Sequence, residues 1–358
     1  LTSPAFRRLQ GKTQIFGLER NDFVRTRLTH SLETADIAAA FGRWLLRRHI
    51  ALGPSQTVAD VSEILAAAAL VHDLGNPPFG HQGEAVIRRY FQEFFARHAG
   101  MLDPEEQADF IQFDGNPQTF RVLTKLQGSA GDVGPQGQGY NLTVSVLAAT
   151  IKYPWPAYQM NRLEKGPQKF GYFASEAAEA QRVLTLTGQN DHRHPLVLLV
   201  DAADEIAYTA ADLEDGVNMG VLPFESLQKA FERGPATIRR DLAAAVGKNR
   251  GIVTQALHQG MQNYVEYAMD AVQQVFWRQR QAIMQGGYLG NLLQDSAAAP
   301  LHQALRAQIA QNIHAAEMVR SQEIKEQQMI YTILDHLIPS AIAPDFLSPR
   351  AAYVQQVP

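Results

Sequence analysis

His72 and Asp73 stand side by side at the end of a segment that is apolar from Ile64 to Val71, and Gly75-Asn76-Pro77-Pro78 interrupts the chain just beyond them. An imidazole and a carboxylate at the end of a buried helix are costly to leave unpaired, and together they suit a divalent metal. A His-Asp dipeptide alone is weak evidence, since a capped helix end carrying a surface pair looks the same. Its context changes the weighting. His30 opens a long helical segment after Arg25-Thr26-Arg27-Leu28-Thr29, and an acidic segment, Asp201–Asp215, lies far downstream. Two neutral nitrogens and two carboxylate oxygens make a donor set that manganese, magnesium, iron, cobalt, nickel or zinc accepts, with Asp201 and Asp204 both open as the last donor. His81 and Glu84 form a second unit, spaced three apart beyond the Pro-Pro turn. If Gly80–Glu84 begins a helix, the carboxylate can meet the imidazole, fix it and raise its basicity. The competing reading is a helix N-terminal carboxylate beside a solvated histidine.

These groups need helices to hold them. Helical periodicity covers His30–His49, Val58–Val71, Gly83–Ala99, Leu196–Leu213, Pro223–Ala245, Asn263–Met284 and Leu301–Leu337. In the last of these Leu305, Ile309, Ile313, Met318 and Ile324 fall at the spacing of one buried stripe. Strands are credible only in short pieces such as Thr13–Phe16, so the expected fold is mainly α. Gly75–Pro78, Gly128–Gly139 and Leu163–Tyr172 read as loops, the last near the surface, and the final residues from Pro339 onward as an irregular tail.

The chain has 358 residues, of which 46% are hydrophobic and 19% charged, which excludes wholesale disorder. Lys and Arg total 32 against 36 Asp and Glu, so nucleic acid is not held by the overall field. The absence of cysteine excludes disulfides, thiolate zinc sites, iron–sulfur clusters and cysteine nucleophiles. Ile64–Val71 is far short of the ~20 residues that span a bilayer, and nothing near Leu1 resembles a signal peptide. There is no Gly-x-x-x-x-Gly-Lys-Ser/Thr loop, which rejects a P-loop ATPase. A soluble, cytoplasmic protein without a membrane partner is expected.

Several blocks in order resemble the HD-domain phosphohydrolases, and within them the bacterial deoxyguanosine triphosphate triphosphohydrolase family. They are Phe6–Gln10 with Lys12–Phe16, Arg25–Glu33, His72–Glu84, Asp114–Gln118 with Phe120-Arg121, Tyr140–Thr143, Lys152–Pro154, and Ala202–Tyr208 leading to Asp212–Asp215. The block from His72 to Glu84 is the most specific. The resemblance fades near Gly216, which suggests an HD-type helical core over 1–216 and additional C-terminal helices over 217–358, packed on it.

The resemblance implies His30, His72, Asp73 and Asp204 as metal ligands, with manganese or magnesium favoured, and His81 with Glu84 as the proton-transfer pair. It implies Arg27, Lys152 and Tyr153 at phosphate and sugar, Gln14 at sugar or base, and Asn141 and Arg121 as further pocket residues. Asp204, Tyr208 and Asp212 are four apart and share a helix face, so Tyr208 and Asp212 join the substrate-binding set. This chain has Asp204-Glu205 where the family has Asp-Asp, a departure beside a ligand rather than at one. The implied reaction converts a deoxynucleoside triphosphate, dGTP as first guess, to deoxynucleoside and triphosphate. Alternatives are an HD phosphohydrolase of monophosphates or single-stranded DNA ends, or a nucleotide- or DNA-binding regulator without turnover. A homo-oligomer, with a hexamer as one form, and a dNTP or single-stranded DNA effector are further expectations.

Overall fold

Thr26 decides where the first long helix begins. Its hydroxyl accepts from the Thr29 backbone N–H at 3.4 Å while Thr29 Oγ1 accepts from the Thr26 N–H at 3.0 Å, so two donors that a bare helix end leaves open are satisfied reciprocally. The helix therefore starts at Arg27, ahead of the expected His30. The structure is a computed structural model that describes residues 1–17, 21–48, 58–126, 139–162, 169–189, 191–244 and 250–342.

In chain order the helices are α1 (Pro4–Arg8), α2 (Arg27–Arg47), α3 (Val58–Val71), α4 (Gly80–Arg97), α5 (Pro104–Ile111), α6 (Gly115–Arg121) and α7 (Val144–Thr150). They continue with α8 (Ala177–Leu186), α9 (Pro195–Asn218), α10 (Phe224–Phe231), α11 (Ala236–Ala244), α12 (Arg250–Met284), α13 (Ala299–Gln308) and α14 (Glu317–Ile342). The fold is all-helical. Among the described residues β-structure is limited to isolated bridges, Thr13 with Thr26 and Pro156 with Tyr172. No described helix is long and apolar enough to cross a membrane.

Helices α2, α3 and α9 form the centre, and small residues let them approach closely: Ala38, Ala68, Ala69 and Ala203 are fully buried among Phe41, Leu65, Leu199 and Ile206. The same core runs on through Tyr264, Phe276, Leu305 and Ile313, so α12 and α13 share it with α9. Helix α14 lies along α4 over an aromatic cluster of Tyr90, Phe91, Phe94 and Phe95.

Several expected elements differ. Thr13–Phe16 is not a strand; Thr13 makes one bridge to Thr26 and Phe16 is buried from a loop. Pro223–Ala245 divides into α10 and α11 because Gly234-Pro235 breaks the ladder, proline having no N–H to continue it. Leu301–Leu337 is broken by a π-turn at Ile309–Ile313, after which the register changes. Leu305, Ile309 and Ile313 are buried as expected, but Met318 and Ile324 are exposed, and α14 instead buries Val319, Glu326 and Ile330. Pro339 does not start the irregular tail: α14 passes through it to Ile342, with Ser340 Oγ donating to the His336 carbonyl at 3.1 Å. Of the expected loop Leu163–Tyr172, residues 163–168 lie outside the described residues, while Phe170 and Tyr172 are buried rather than superficial. Residues 128–138 of the glycine-rich stretch also lie outside them. The short α5, α6, α7 and α8 have no counterpart in the periodicity, being too brief to repeat a pattern.

Asp109 on α5 is bonded to the backbone at Ala174, and its charge opposes the fold. Oδ2 accepts the Ala174 N–H at 2.7 Å, while Oδ1 is buried with no hydrogen-bond partner. Burial pushes its carboxyl up to about 7, with Glu176 and Glu106 adding and the Ala174 bond and Arg121 opposing. A proton bound more tightly in the folded state stabilises below the ordinary carboxylate pKa of ~4, and that stability is lost as pH rises through about 7. Asp109→Asn is therefore expected to raise the unfolding temperature at pH 8 by about 2–4 °C and to change it little at pH 4. Equal shifts at both pH values would remove Asp109 as the cause.

Candidate metal centre and active site

The end of α3 is shaped by one glycine. A side chain at Gly75 would meet the Thr119 backbone nitrogen at 2.0 Å and the Gly115 carbonyl at 2.4 Å, so only glycine lets the turn press against α6. Thr119 Oγ1 accepts the Gly75 N–H at 2.9 Å and donates to the His72 carbonyl at 2.9 Å. Lys12 Nζ adds bonds to the carbonyls of Leu74 at 3.4 Å and Asn76 at 2.6 Å, and Asn76 Nδ2 donates to Asp73 Oδ1 at 2.5 Å. The His72-Asp73 pair is thus held from three directions.

Three helices bring four donors together. His30 Nε2 on α2 is 3.0 Å from Asp204 Oδ1 on α9, and His72 Nε2 is 3.4 Å from both Asp204 Oδ1 and Asp73 Oδ1. Ligand atoms of His30, His72 and Asp73 all lie within 4.8 Å of one another. His72 Nδ1 donates to the Ala69 carbonyl at 2.6 Å, which turns Nε2 toward the two carboxylates, where it is buried with no hydrogen-bond partner. Burial would lower the His72 pKa, but Asp73 and Asp204 outweigh it and raise it to about 9. Burial would raise Asp73, yet Arg27, His72 and His30 hold it down at about 2; Asp204 is likewise held well below the ordinary range, by the charge of His72 beside it and by its hydrogen bond to His30. Two ionised carboxylates and two imidazoles around one point fit a divalent metal.

Geometry separates the two candidate aspartates. Asp204 joins the imidazoles, whereas Asp201 Oδ1 is 2.8 Å from Lys152 Nζ and its Oδ2 is bound by Arg193. Asp201 outweighs burial and raises the Lys152 pKa above its usual value. A small cavity lined by His72, Asn116, Thr150, Lys152, Asp201 and Asp204 adjoins the cluster.

His81 Nδ1 is 3.0 Å from Glu84 Oε2 in the first turn of α4. The two differ sharply in exposure: the His81 side chain is 84% exposed and that of Glu84 is 4% exposed. Glu84 is fixed by the Gly115 N–H at 2.8 Å and by Arg88 Nη2 at 3.2 Å, so a buried carboxylate steers an imidazole that solvent and ligand can reach.

The remaining sequence-derived residues are placed as follows. Arg27 is buried with Nη1 on Asp73 Oδ2, its guanidinium packed over Gly80, whose φ is +52°. Gln14 follows the Thr13–Thr26 bridge and has a buried Oε1 without a hydrogen-bond partner. Asp212 is buried, and burial with Asp215 pushes its carboxyl well above the usual range against Arg27 and Arg25. Tyr208 is half-buried, with the Arg306 guanidinium 4.8 Å over its ring. Tyr153 is buried beside Trp155, ring centres 6.0 Å apart, and burial raises its hydroxyl pKa. Arg121 is committed to Glu176 at 3.0 Å and lies over the Phe173 ring. Asn141 is exposed at φ 51° and makes no hydrogen bond to the cluster among the described residues. Lys12, Asn76, Arg88 and Thr119 were assigned no role from sequence. Lys12 and Asn76 lie within the matching blocks and Thr119 between two of them, but the bonds by which they act form only once the chain has folded. Arg306 belongs to the region beyond Gly216, where no motif points to it.

The chain matches the HD domain model over residues 27–109, which contains His30, His72, Asp73, His81 and Glu84. A protein of Listeria innocua named deoxyguanosinetriphosphate triphosphohydrolase-like is 35% identical over 97% of this chain and 78% of its own length. A like-named protein of Synechocystis is 40% identical over 69% of this chain and 62% of its own length. A deoxyguanosinetriphosphate triphosphohydrolase of Enterobacter is 34% identical over 63% of this chain and 50% of its own length. With its helical core and its His–His-Asp–Asp cluster, the chain belongs to the deoxyguanosinetriphosphate triphosphohydrolase-like family of HD-domain hydrolases.

Proposed function

We propose that the protein hydrolyses deoxynucleoside triphosphates, dGTP first among them, to deoxynucleoside and inorganic triphosphate. The observation that carries this reading is the meeting of His30, His72, Asp73 and Asp204 from three helices, in the same fold as His81 backed by buried Glu84. A divalent metal held by those four residues, manganese or magnesium first, would polarise the α-phosphate and activate water. His81, oriented through Nδ1 by Glu84, holds or moves the proton at its Nε2 during attack at phosphorus or departure of the 5′ oxygen. Arg27 positions Asp73 and adds positive charge beside the phosphates. Tyr208, one turn after Asp204, closes against the deoxyribose, with Gln14 and Asp212 near the sugar and base.

Purified protein given manganese and each of the four dNTPs, with products resolved by chromatography, tests the reading directly. Deoxynucleoside plus intact triphosphate supports it; orthophosphate release, or tight DNA binding without turnover, refutes it.

His72→Ala and Asp204→Ala are each expected to abolish metal content and turnover, because a missing donor opens the coordination sphere. Full metal occupancy with normal activity in either variant would take that residue out of the centre. His81→Ala should keep metal and substrate binding while kcat falls roughly 10²–10⁴-fold; loss of metal would instead make His81 a ligand. Tyr208→Ala should raise KM for the deoxynucleotide and narrow the gap to its ribonucleotide. A 2′-hydroxyl buried against ring carbon costs about 1–3 kcal/mol, roughly 5- to 150-fold in kcat/KM. An unchanged dGTP to GTP ratio would pass the sugar gate to Gln14 or Tyr153.

A further inference from the structure

The two cations expected to receive the triphosphate are already answered by carboxylates. Arg27 is paired with Asp73, and Lys152 with Asp201. Their neighbours are committed as well: Arg193 to Asp201, Arg88 to Glu84, and Lys12 to two backbone carbonyls. A triphosphate entering such a site brings several negative charges that these pairs leave largely uncompensated.

Arg306 differs from all of them. Its guanidinium carbon lies 4.8 Å over the Tyr208 ring, and among the described residues its side chain makes no hydrogen bond and no ion pair within 4 Å, although its charge reaches the Glu205 carboxylate and lowers its pKa. The residue is exposed, so the ring supports one face of the guanidinium and the in-plane N–H donors stay unspent.

Its position is built rather than incidental. One turn earlier on α13, fully buried His302 has Nδ1 2.7 Å from the Tyr264 hydroxyl and Nε2 3.4 Å from Glu205 Oε1. Asn291 Nδ2 holds the other Glu205 oxygen at 3.0 Å. His302 and Arg306 are four apart on α13, and Glu205 and Tyr208 three apart on α9, so the helices meet in two successive rungs. Tyr208 in turn lies one helical turn beyond Asp204.

We propose that Arg306, carried over Tyr208 by the His302–Glu205 contact, is a further cation that binds the triphosphate of the nucleotide. The assignment rests on the site being a nucleoside triphosphate hydrolase. It makes the C-terminal helices part of the substrate site, and it gives Glu205 a role as the residue that positions Arg306.

Calorimetry on the full chain, with inorganic tripolyphosphate in excess magnesium and separately with deoxyguanosine, reads the two ends of the substrate apart. Arg306→Ala is expected to weaken tripolyphosphate by about 10-fold or more while deoxyguanosine affinity and the unfolding temperature hold. Arg306→Lys should recover part of the loss, as a point charge without the planar fork. Unchanged tripolyphosphate affinity in Arg306→Ala, a loss confined to deoxyguanosine, or failure of the wild-type protein to bind tripolyphosphate would each overturn the assignment. So would loss of both ligands with a lower unfolding temperature that Arg306→Lys does not repair. Wild-type dNTP turnover, measured in parallel, judges the proposed reaction separately.

Discussion

Asp204 Oδ1 lies 3.0 Å from the imidazole of His30 on α2 and 3.4 Å from that of His72, in the turn that ends α3. That single oxygen requires α2, α3 and α9 to cross at one place, and much of the core serves the crossing. Alanines at the contact let the backbones approach, while Phe41, Leu65, Leu199 and Ile206 fill the space around them. The cost of the arrangement is electrostatic, since two ionised carboxylates sit where little water reaches. Arg27 and the imidazoles lower Asp73 to about 2, and the two imidazoles hold Asp204 well below the usual range. Such a balance favours a cation among the donors and explains why their nitrogen and oxygen atoms converge without a complete hydrogen-bond network.

Outside the donors, the fold controls direction. Lys12, Asn76 and Thr119 each bond to the turn that carries His72 and Asp73, and Gly75 lets that turn lie against α6. Glu84 does the same for His81 from a buried position, with the Gly115 N–H and Arg88 holding the carboxylate. In both cases the candidate site residue is aimed by bonds whose partners lie elsewhere in the chain, so a change at a partner reaches the cluster indirectly.

The residues after Gly216 are not a separate layer in this scheme. Tyr264, Phe276 and Leu305 belong to the same core as α9, and His302 brings α13 against Glu205 through a contact that is fully buried on its own side. Glu205, the residue after Asp204, reaches both His302 and Asn291 with its two carboxylate oxygens.

The sequence by itself determined the helical class and the hydrolase family. The apolar run ending in His72-Asp73 and the three-residue spacing of His81 and Glu84 are local patterns, and local patterns survive in sequence because helix periodicity decides which side chains share a face. Resemblance chose Asp204 over Asp201, and the reason became visible only in space: one faces two imidazoles, the other faces Lys152 and Arg193. Tertiary structure alone decided where the long C-terminal pattern breaks, since the π-turn at Ile309–Ile313 shifts the register and leaves Met318 and Ile324 outside. It also decided that Arg27 and Lys152 are paired while Arg306 is not. Charge pairing depends on which groups lie within a few ångströms after folding, and residues as far apart in sequence as Arg27 and Asp73 or Lys152 and Asp201 carry no spacing rule that would reveal it.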